Sequence, residues 1–110
     1  MTKNIPNVEN MNSPRTNKPV ANQFIIKNLD QCVVNGVTIN RPEVFQSYDT
    51  VICVWGYSAG TGERLIFLDR NKWDYSATTL KYLKLFLGVI SIDDIRAAIN
   101  LGTYYLTELN

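Results

Sequence analysis

Short runs of apolar, β-branched and aromatic residues recur along the middle of the chain, each bounded by polar residues or glycine. This pattern is typical of β-strands joined by turns. Asn35-Gly36 lies between two β-branched runs and predicts a tight hairpin, because both residues tolerate the positive φ angles of a type I′ turn. The predicted strands are residues 23–27, 32–39 around that turn, 44–55 with a bend at Asp49, and 64–68.

After residue 69 the apolar spacing changes to that of α-helices. Leu80, Leu83 and Leu87 fall on one helical face, and Gly88 stands where a helix-terminating glycine is expected. Residues 91–94, Ser-Ile-Asp-Asp, resemble a capping box that opens a second helix. The β-rich ending of the chain is expected to return to the sheet as a strand.

Together these patterns predict an α+β fold: a small antiparallel β-sheet with two short helices packed on one face and a C-terminal strand that returns to the sheet. The 110 residues suffice for one domain. Residues 1–21 are rich in Asn and Pro and poor in large apolar residues, so they are predicted to form a flexible N-terminal arm. Residues 22–110 are then the single α+β domain. In the alternative, residues 15–19 fold over a site or a partner.

Composition narrows the function classes. The chain carries 11 Lys and Arg against 10 Asp and Glu, a formal net charge of +1, which excludes a nucleic-acid-binding protein that works by bulk positive charge. It contains no histidine, which removes Ser-His-Asp and Cys-His nucleophiles and histidine metal sites. Cys32 and Cys53 are too few for a disulfide scaffold or an all-cysteine zinc site. We therefore predict no metal, no cofactor and no enzymatic activity.

Two further features have ordinary structural interpretations. The glycines at 56, 60 and 62 lead into a strand rather than into a Gly-Lys-Ser/Thr helix start, so they predict a hairpin loop and not a phosphate-binding loop. The adjacent Asp93 and Asp94 fall in a first helical turn, where acidic side chains interact favourably with the helix dipole. Neither feature adds a predicted catalytic or metal site.

No targeting or membrane-spanning segment is recognisable. The first 22 residues contain no apolar run that could serve as the core of a signal peptide. The longest mostly apolar stretch, residues 51–55, is far shorter than the roughly 20 residues that cross a bilayer. We therefore expect a soluble protein of the cytoplasm, without a membrane partner and with both thiols reduced.

Candidate binding residues come from two polar-aromatic segments, Phe45-Gln46-Ser47-Tyr48 and Trp73-Asp74-Tyr75-Ser76. Their rings suit stacking on a base or anchoring a protein partner, and the helix start that follows Ser76 suits a phosphate or carboxylate. In the alternative interpretation the rings pack the helix onto the sheet, and Asp74 or Ser76 caps it. The predicted ligand-binding residues are Arg15, Lys18, Gln46, Tyr48, Trp73, Tyr75, Thr78 and Lys81.

The same segments resemble a family of small uncharacterised phage and prophage proteins. The resemblance extends over nearly the whole chain from Arg15 onward, and Trp-Asp-Tyr-Ser is its most specific block. Residues 30–43 and 56–63 look longer than the compact hairpins of that family. The resembling segments are residues 15–24, 45–48, 68–69, 73–76, 78–79, 81–82, 86–88, and Gly102-Thr103-Tyr104, Leu106 and Leu109-Asn110 at the end.

The resemblance implies a context but no activity: a phage protein acting in the cytoplasm of the infected bacterium. The leading hypothesis is a non-enzymatic binding protein that inhibits a host or defence component, in its sharper form by sequestering a nucleotide immune signal. A direct protein inhibitor of a defence nuclease and a single-stranded nucleic-acid-binding module are the alternatives. They are followed by an enzyme that uses Asp or Glu with Tyr or Lys for general acid–base catalysis, and by a virion component. Pairing of two copies through an edge strand or through Tyr104-Tyr105 is left open.

Overall fold

The computed structural model of the chain describes residues 5–110, which form one seven-stranded sheet and two helices. The strand order is β1-β2-β4-β5-β6-β7, and β3 also pairs with β4. Neighbouring strands are antiparallel except for β6 and β7. The elements are β1 (Asn7–Asn12), β2 (Pro19–Lys27), β3 (Gln31–Val34), β4 (Val37–Ser47), β5 (Thr50–Ser58), β6 (Arg64–Asp69), α1 (Ala77–Leu87), α2 (Ile92–Asn100) and β7 (Tyr104–Thr107).

The long strand β4 organises the N-terminal half of the sheet. Its first half pairs with β3 and its second half with β2, so both strands lie along the same edge of β4. The β3–β4 turn has φ of 50° at Asn35 and 79° at Gly36, which confirms the predicted hairpin. Between the two halves the register with β5 shifts at residues 40–43, where Arg41 adopts a φ of 49°.

The expected N-terminal arm is a β-hairpin over most of its length, which corrects the predicted boundary at residue 22. Residues 7–12 pair with β2, and the Met11 side chain is buried against the helix-side core. β1 is an edge strand, and Pro19 is the first residue of β2, a position at which strands tolerate proline. Residues 1–4 of the predicted arm lie outside the described residues.

The predicted bend at Asp49 is a complete chain reversal. β4 ends at Ser47 and β5 begins at Thr50, and these two residues face each other across a tight turn. Tyr48 adopts a φ of 56°, and its N–H donates to the Asn22 carbonyl over 2.6 Å. The polar-aromatic segment therefore ends in a fixed turn at the end of two central strands.

The helix boundaries follow the capping residues that the sequence supplied. Ser76 accepts a hydrogen bond from the Thr79 N–H at the start of α1, and Gly88 ends that helix with a φ of 73°. Ser91 and Asp94 form the predicted capping box of α2. The two helices carry the chain from the end of β6 back to its start, so β7 pairs with β6 in parallel. The predicted α+β fold is confirmed, with this one parallel pair as an addition.

The sheet carries a core on each face. The helix side holds the larger cluster, which includes Phe45, Leu68, Leu83 and Ile95, all fully buried. On the other side a smaller cluster, which includes Ile39, Val54 and Phe67, is covered in part by the β3–β4 hairpin and by Leu109 near the C-terminus. Within residues 5–110, no helix is long and apolar enough to cross a membrane.

Candidate functional site

Three of the eight side chains in the two polar-aromatic segments, those of Phe45, Ser47 and Trp73, are buried in the core. The Phe45 ring is fully buried and stacks on Phe86 with 5.8 Å between ring centroids. The hydroxyls of Ser47 and Thr79, both fully buried, form a hydrogen bond of 2.8 Å. Trp73 is only 7% exposed. Its ring packs α1 and α2 onto the sheet, as the structural alternative predicted, so its faces are closed to a stacking base.

A buried amide lies beside this hydrogen bond. Gln23 faces Ser47 across the β2–β4 pair and is 1% exposed. Neither its side-chain nitrogen nor its oxygen has a hydrogen-bond partner among residues 5–110. A buried amide without partners lowers the stability of the fold. Sequence reasoning missed this residue, because nothing in the local pattern distinguishes it from a solvent-facing strand glutamine.

The C-terminus is fixed to the same end of the sheet. The Asp69 carboxylate, 3% exposed, accepts hydrogen bonds from the N–H groups of Leu109 at 2.8 Å and Asn71 at 3.2 Å. The Asn110 side chain donates to the Val51 carbonyl and accepts from its N–H, each over 2.8 Å. These contacts give Leu68-Asp69 and Leu109-Asn110, two of the resembling segments, a structural role.

Tyr48 and Tyr75 remain open to solvent, with 52% and 46% of their surface exposed. Tyr48 sits on the β4–β5 turn, and Tyr75 lies just before α1. The Ser47–Thr79 hydrogen bond holds these two segments together. The Lys72 ammonium lies 5.1 Å from the centroid of the Tyr75 ring, within the range of a cation–π contact.

A polar cleft of about 350 Å³ opens at this end of the sheet. Its walls come from the β4–β5 turn, the turn after β6 and the C-terminal segment. Tyr48 is next to the lining residue Asp49 in sequence, and the ammonium of the lining residue Lys72 lies against the Tyr75 ring. The volume is within the range of small-ligand pockets. The lining residues are Asp49, Thr50, Asp69, Asn71, Lys72, Glu108 and Asn110. We call these residues, with Tyr48 and Tyr75, the cleft end of the sheet.

The other predicted ligand-binding residues are spread over several surfaces. Arg15 and Lys18 are exposed in the turn between β1 and β2. The Gln46 amide donates to the Tyr48 carbonyl over 2.8 Å, which supports the turn. Thr78 is exposed in the first turn of α1, and the Lys81 ammonium lies 5.6 Å from the centroid of the Tyr82 ring. The structure brings Gln46 and Tyr48 together and places Tyr75 and Thr78 near them.

Sequence reasoning missed the charged residues that line the cleft, above all Asp49, Lys72 and Glu108. The sequence indicated these residues only by their position, because each lies within three residues of a segment that resembles the phage family. It also missed four residues at the opposite end of the sheet, Arg41, Trp55, Tyr57 and Arg64. They are distant in sequence, and only strand pairing brings them together.

The titrating groups with displaced pKa values have structural causes. Backbone hydrogen bonds from Ser91 and Ile90 lower the pKa of the Asp94 carboxyl within the capping box. Burial raises the pKa of both thiols, strongly for the fully buried Cys53, and both cysteines are free. Burial also raises the pKa of Tyr104. Across residues 5–110, no group of three or more acidic or cysteine side chains could hold a metal ion.

The fold and the cleft define a small α+β domain with two helices on one face of a mostly antiparallel sheet. The chain belongs to the family of unknown function DUF8033, whose family model matches residues 7–99. No curated protein and no solved structure matches it. The matched range includes the β4–β5 turn and the Trp-Asp-Tyr-Ser segment, the two parts of the cleft end that carry exposed tyrosines.

Proposed function

We propose that the protein is a non-enzymatic binding protein that docks on a partner protein through the cleft end of the sheet. One observation carries the proposal: Tyr48 and Tyr75 are exposed on segments whose other aromatic side chains, Phe45 and Trp73, are buried. Tyrosine is enriched among the residues that dominate the binding energy of protein interfaces. Its large ring contributes contact area while few torsions need to be ordered on binding.

The backbone at this surface is already ordered. The Tyr48 turn is held by its hydrogen bond to Asn22 and by the Gln46 amide. Tyr48 adopts a positive φ that non-glycine residues rarely adopt, at a cost that the surrounding contacts must offset. A surface that is fixed before binding loses less entropy when the partner docks. This order supports an interface rather than a loosely held loop.

The charges of the cleft indicate what the partner presents. Three carboxylates, those of Asp49, Asp69 and Glu108, line it together with one ammonium, that of Lys72. The Asp69 oxygens already accept backbone hydrogen bonds, so Asp49 and Glu108 are the acceptors nearest to solvent. Such a cleft suits a Lys or Arg side chain of a protein and repels a phosphate. It therefore favours the protein-inhibitor form of the hypothesis over capture of a nucleotide at this site.

The context in the proposal comes from the resemblance to phage and prophage proteins. We accordingly place the partner among host or defence proteins in the bacterial cytoplasm. Inhibition would follow from occupying a surface that the partner needs, without a chemical step.

The test is quantitative affinity purification from bacterial lysate with the full chain as bait. The baits are the unchanged protein, the Tyr48→Ala/Tyr75→Ala double variant and a Leu101→Ala control. Leu101 is 81% exposed at the end of α2 and lies outside the cleft end. We expect one protein to be enriched by the unchanged and control baits and lost with the double variant.

The enriched protein is then purified, and its Kd is measured by calorimetry. Loss of one interface tyrosine should weaken binding by about 30-fold, the effect of about 2 kcal/mol. Equal enrichment by all three baits, or no enrichment, would contradict the proposal. A small retained ligand in native mass spectrometry of the purified protein would instead support the nucleotide alternative.

A further inference from the structure

Two arginines and two aromatic rings form a continuous row at the end of the sheet opposite the cleft. The Arg64 guanidinium carbon lies 4.5 Å from the centroid of the Trp55 ring. Trp55 meets Tyr57 edge to face, with 5.9 Å between centroids and 74° between planes. The Arg41 guanidinium carbon lies 5.2 Å from the Tyr57 centroid. We call these four residues the arginine–aromatic row.

The row is held in place by an irregularity in β4. Pairing with β5 breaks between Asn40 and Glu43, and Arg41 adopts a φ of 49°. Bulges of this kind redirect side chains and are frequent beside binding sites. The bulge lies directly against Gly56: a Cβ there would be 2.9 Å from the Asn40 oxygen and 3.1 Å from Pro42 Cα. Gly56 lies between Trp55 and Tyr57, so the same close approach positions both rings and Arg41.

We propose that the arginine–aromatic row binds single-stranded nucleic acid. Bases stack on tyrosine and tryptophan rings and on guanidinium planes, and this stacking tolerates any base. A base that replaces a guanidinium on its ring leaves that guanidinium free to pair with a neighbouring phosphate. The two rings are neighbours in the middle of the row, and one guanidinium lies over each of them, at 4.5 and 5.2 Å, so a base stacked on either ring has a cation beside it.

The charge around the row permits an anionic ligand. Within residues 5–110, neither Arg41 nor Arg64 forms an ion pair with a carboxylate. Glu43 faces Trp55 across the β4–β5 pair and is an acidic residue on the same face. Lys27, on the neighbouring strand, is paired with Glu9 over 3.3 Å. The net charge of +1 excludes nucleic-acid binding by bulk positive charge. It does not exclude binding at a local site of two guanidinium groups that have no carboxylate partner among the described residues.

The geometry favours a single strand over a duplex or a free nucleotide. Trp55 and Tyr57 are half-buried and protrude little from the sheet. They can therefore stack only on bases that are unpaired. Of the four residues, Arg41 borders a pocket of about 200 Å³, which it shares with Pro42 and Glu43. A small ligand held tightly is usually enclosed on most sides, whereas the row extends across three strands. An extended strand lying across β4, β5 and β6 contacts the whole row.

The experiment measures fluorescence anisotropy of a labelled oligothymidylate of about 12 nucleotides, a length that covers one such site. Titrations use the full chain at a series of salt concentrations. We expect binding at low salt that weakens as salt rises. Arg41→Ala/Arg64→Ala should reduce the affinity by about tenfold or more. The slope of log K against log salt should become shallower by about 1.4, because each lost phosphate contact removes about 0.7 from the slope. Tyr57→Ala should weaken binding with little change in slope.

A matched control separates the row from general charge. Lys84→Ala/Arg96→Ala removes the same number of positive charges from the two helices and should leave the affinity within about twofold of the unchanged protein. Equal loss in both double variants, or no binding at low salt, would overturn the proposal. So would equal affinity for duplex or for thymidine monophosphate. None of these variants alters the cleft end, so this test is independent of the proposed protein partner.

Discussion

The hydroxyls of Ser47 and Thr79 are 2.8 Å apart and share one hydrogen bond, although 32 residues separate them along the chain. Ser47 ends β4 and Thr79 lies in the first turn of α1, so this bond joins the sheet to the helix layer beside the cleft. Both side chains are fully buried. Either hydroxyl alone would therefore be a buried polar group without a partner.

Thr79→Val tests that relationship. It keeps the side-chain shape and removes one hydroxyl, which leaves Ser47 unpaired, so we expect the free energy of unfolding to fall by about 1–3 kcal/mol. Ser47→Ala should act similarly. The double variant should cost less than the sum of the two, because the second substitution removes the unpaired group. Urea unfolding of all four proteins checks this, and strict additivity would contradict it.

Gln23→Met should stabilise the protein. Methionine has a similar volume, and the substitution removes a buried amide that has no partner among the described residues. We expect the free energy of unfolding to rise by about 1 kcal/mol. The control is Gln46→Met, in which a hydrogen bond to the Tyr48 carbonyl is lost and stability should fall. A loss of stability in Gln23→Met would show that the amide is hydrogen bonded in solution.

Gly56→Ala should destabilise the fold. The new methyl group would meet the Ile39 side chain, the Asn40 carbonyl and Pro42, and backbone atoms cannot move aside by a change of rotamer. Overpacking of this kind costs about 1–3 kcal/mol. Gly60→Ala is the matched control, because its nearest atom is Ser58 Oγ at 3.9 Å, and it should change stability by less than about 0.5 kcal/mol. Equal thermal midpoints for the two variants would contradict the close packing of the bulge.

The capping box of α2 should give stability that depends on pH. Hydrogen bonds from the Ser91 and Ile90 N–H groups lower the pKa of Asp94 in the folded state. Its contribution is therefore present above the pKa of the unfolded chain, near 3.8, and is lost as the pH falls below that value. Asp94→Asn should lower the thermal midpoint at pH 7 and change it less at pH 3. Asp93→Asn, which removes an exposed ion pair with Arg96, should show little effect at either pH.

The two thiols should differ in reactivity. Cys53 is fully buried and Cys32 partly buried, and burial raises the pKa of each. We expect the folded protein to take up one maleimide slowly, at Cys32, and a second only in denaturant. Cys32→Ser should abolish labelling of the folded protein. Mass spectrometry counts the adducts, and two adducts under native conditions would show that β5 opens readily.

Local signals in the sequence were sufficient for the fold class, for the β3–β4 hairpin and for the two helices. Asn35-Gly36 specified a hairpin, and Ser91 with Asp94 specified a helix start, because turn and cap geometry depends on residues close together in the chain. The N-terminal hairpin was missed for the opposite reason. Residues 7–12 have little apolar character of their own, and their strand forms by pairing with β2, which supplies the backbone partners and the pocket for Met11.

Functional residues were harder to predict than elements. Trp73 and Tyr75 look equivalent in the sequence, yet the first is buried and the second is exposed, because the direction of each side chain depends on how the segment before α1 packs on the sheet. The cleft end was therefore predicted in part, through Tyr48 and Tyr75. Its charged lining was not, since these side chains belong to three separate turns.

The sequence by itself determined the β3–β4 turn, the end of α1 and the start of α2, that the fold is α+β, and that histidine chemistry is impossible. Only the tertiary structure decided which aromatic rings are exposed, that β7 joins β6 in parallel, and that Arg41 and Arg64 approach the rings of Tyr57 and Trp55. The physical reason is the range of the interactions. Capping and turn preferences act over a few residues, whereas burial and strand register depend on contacts between segments that are far apart in the chain.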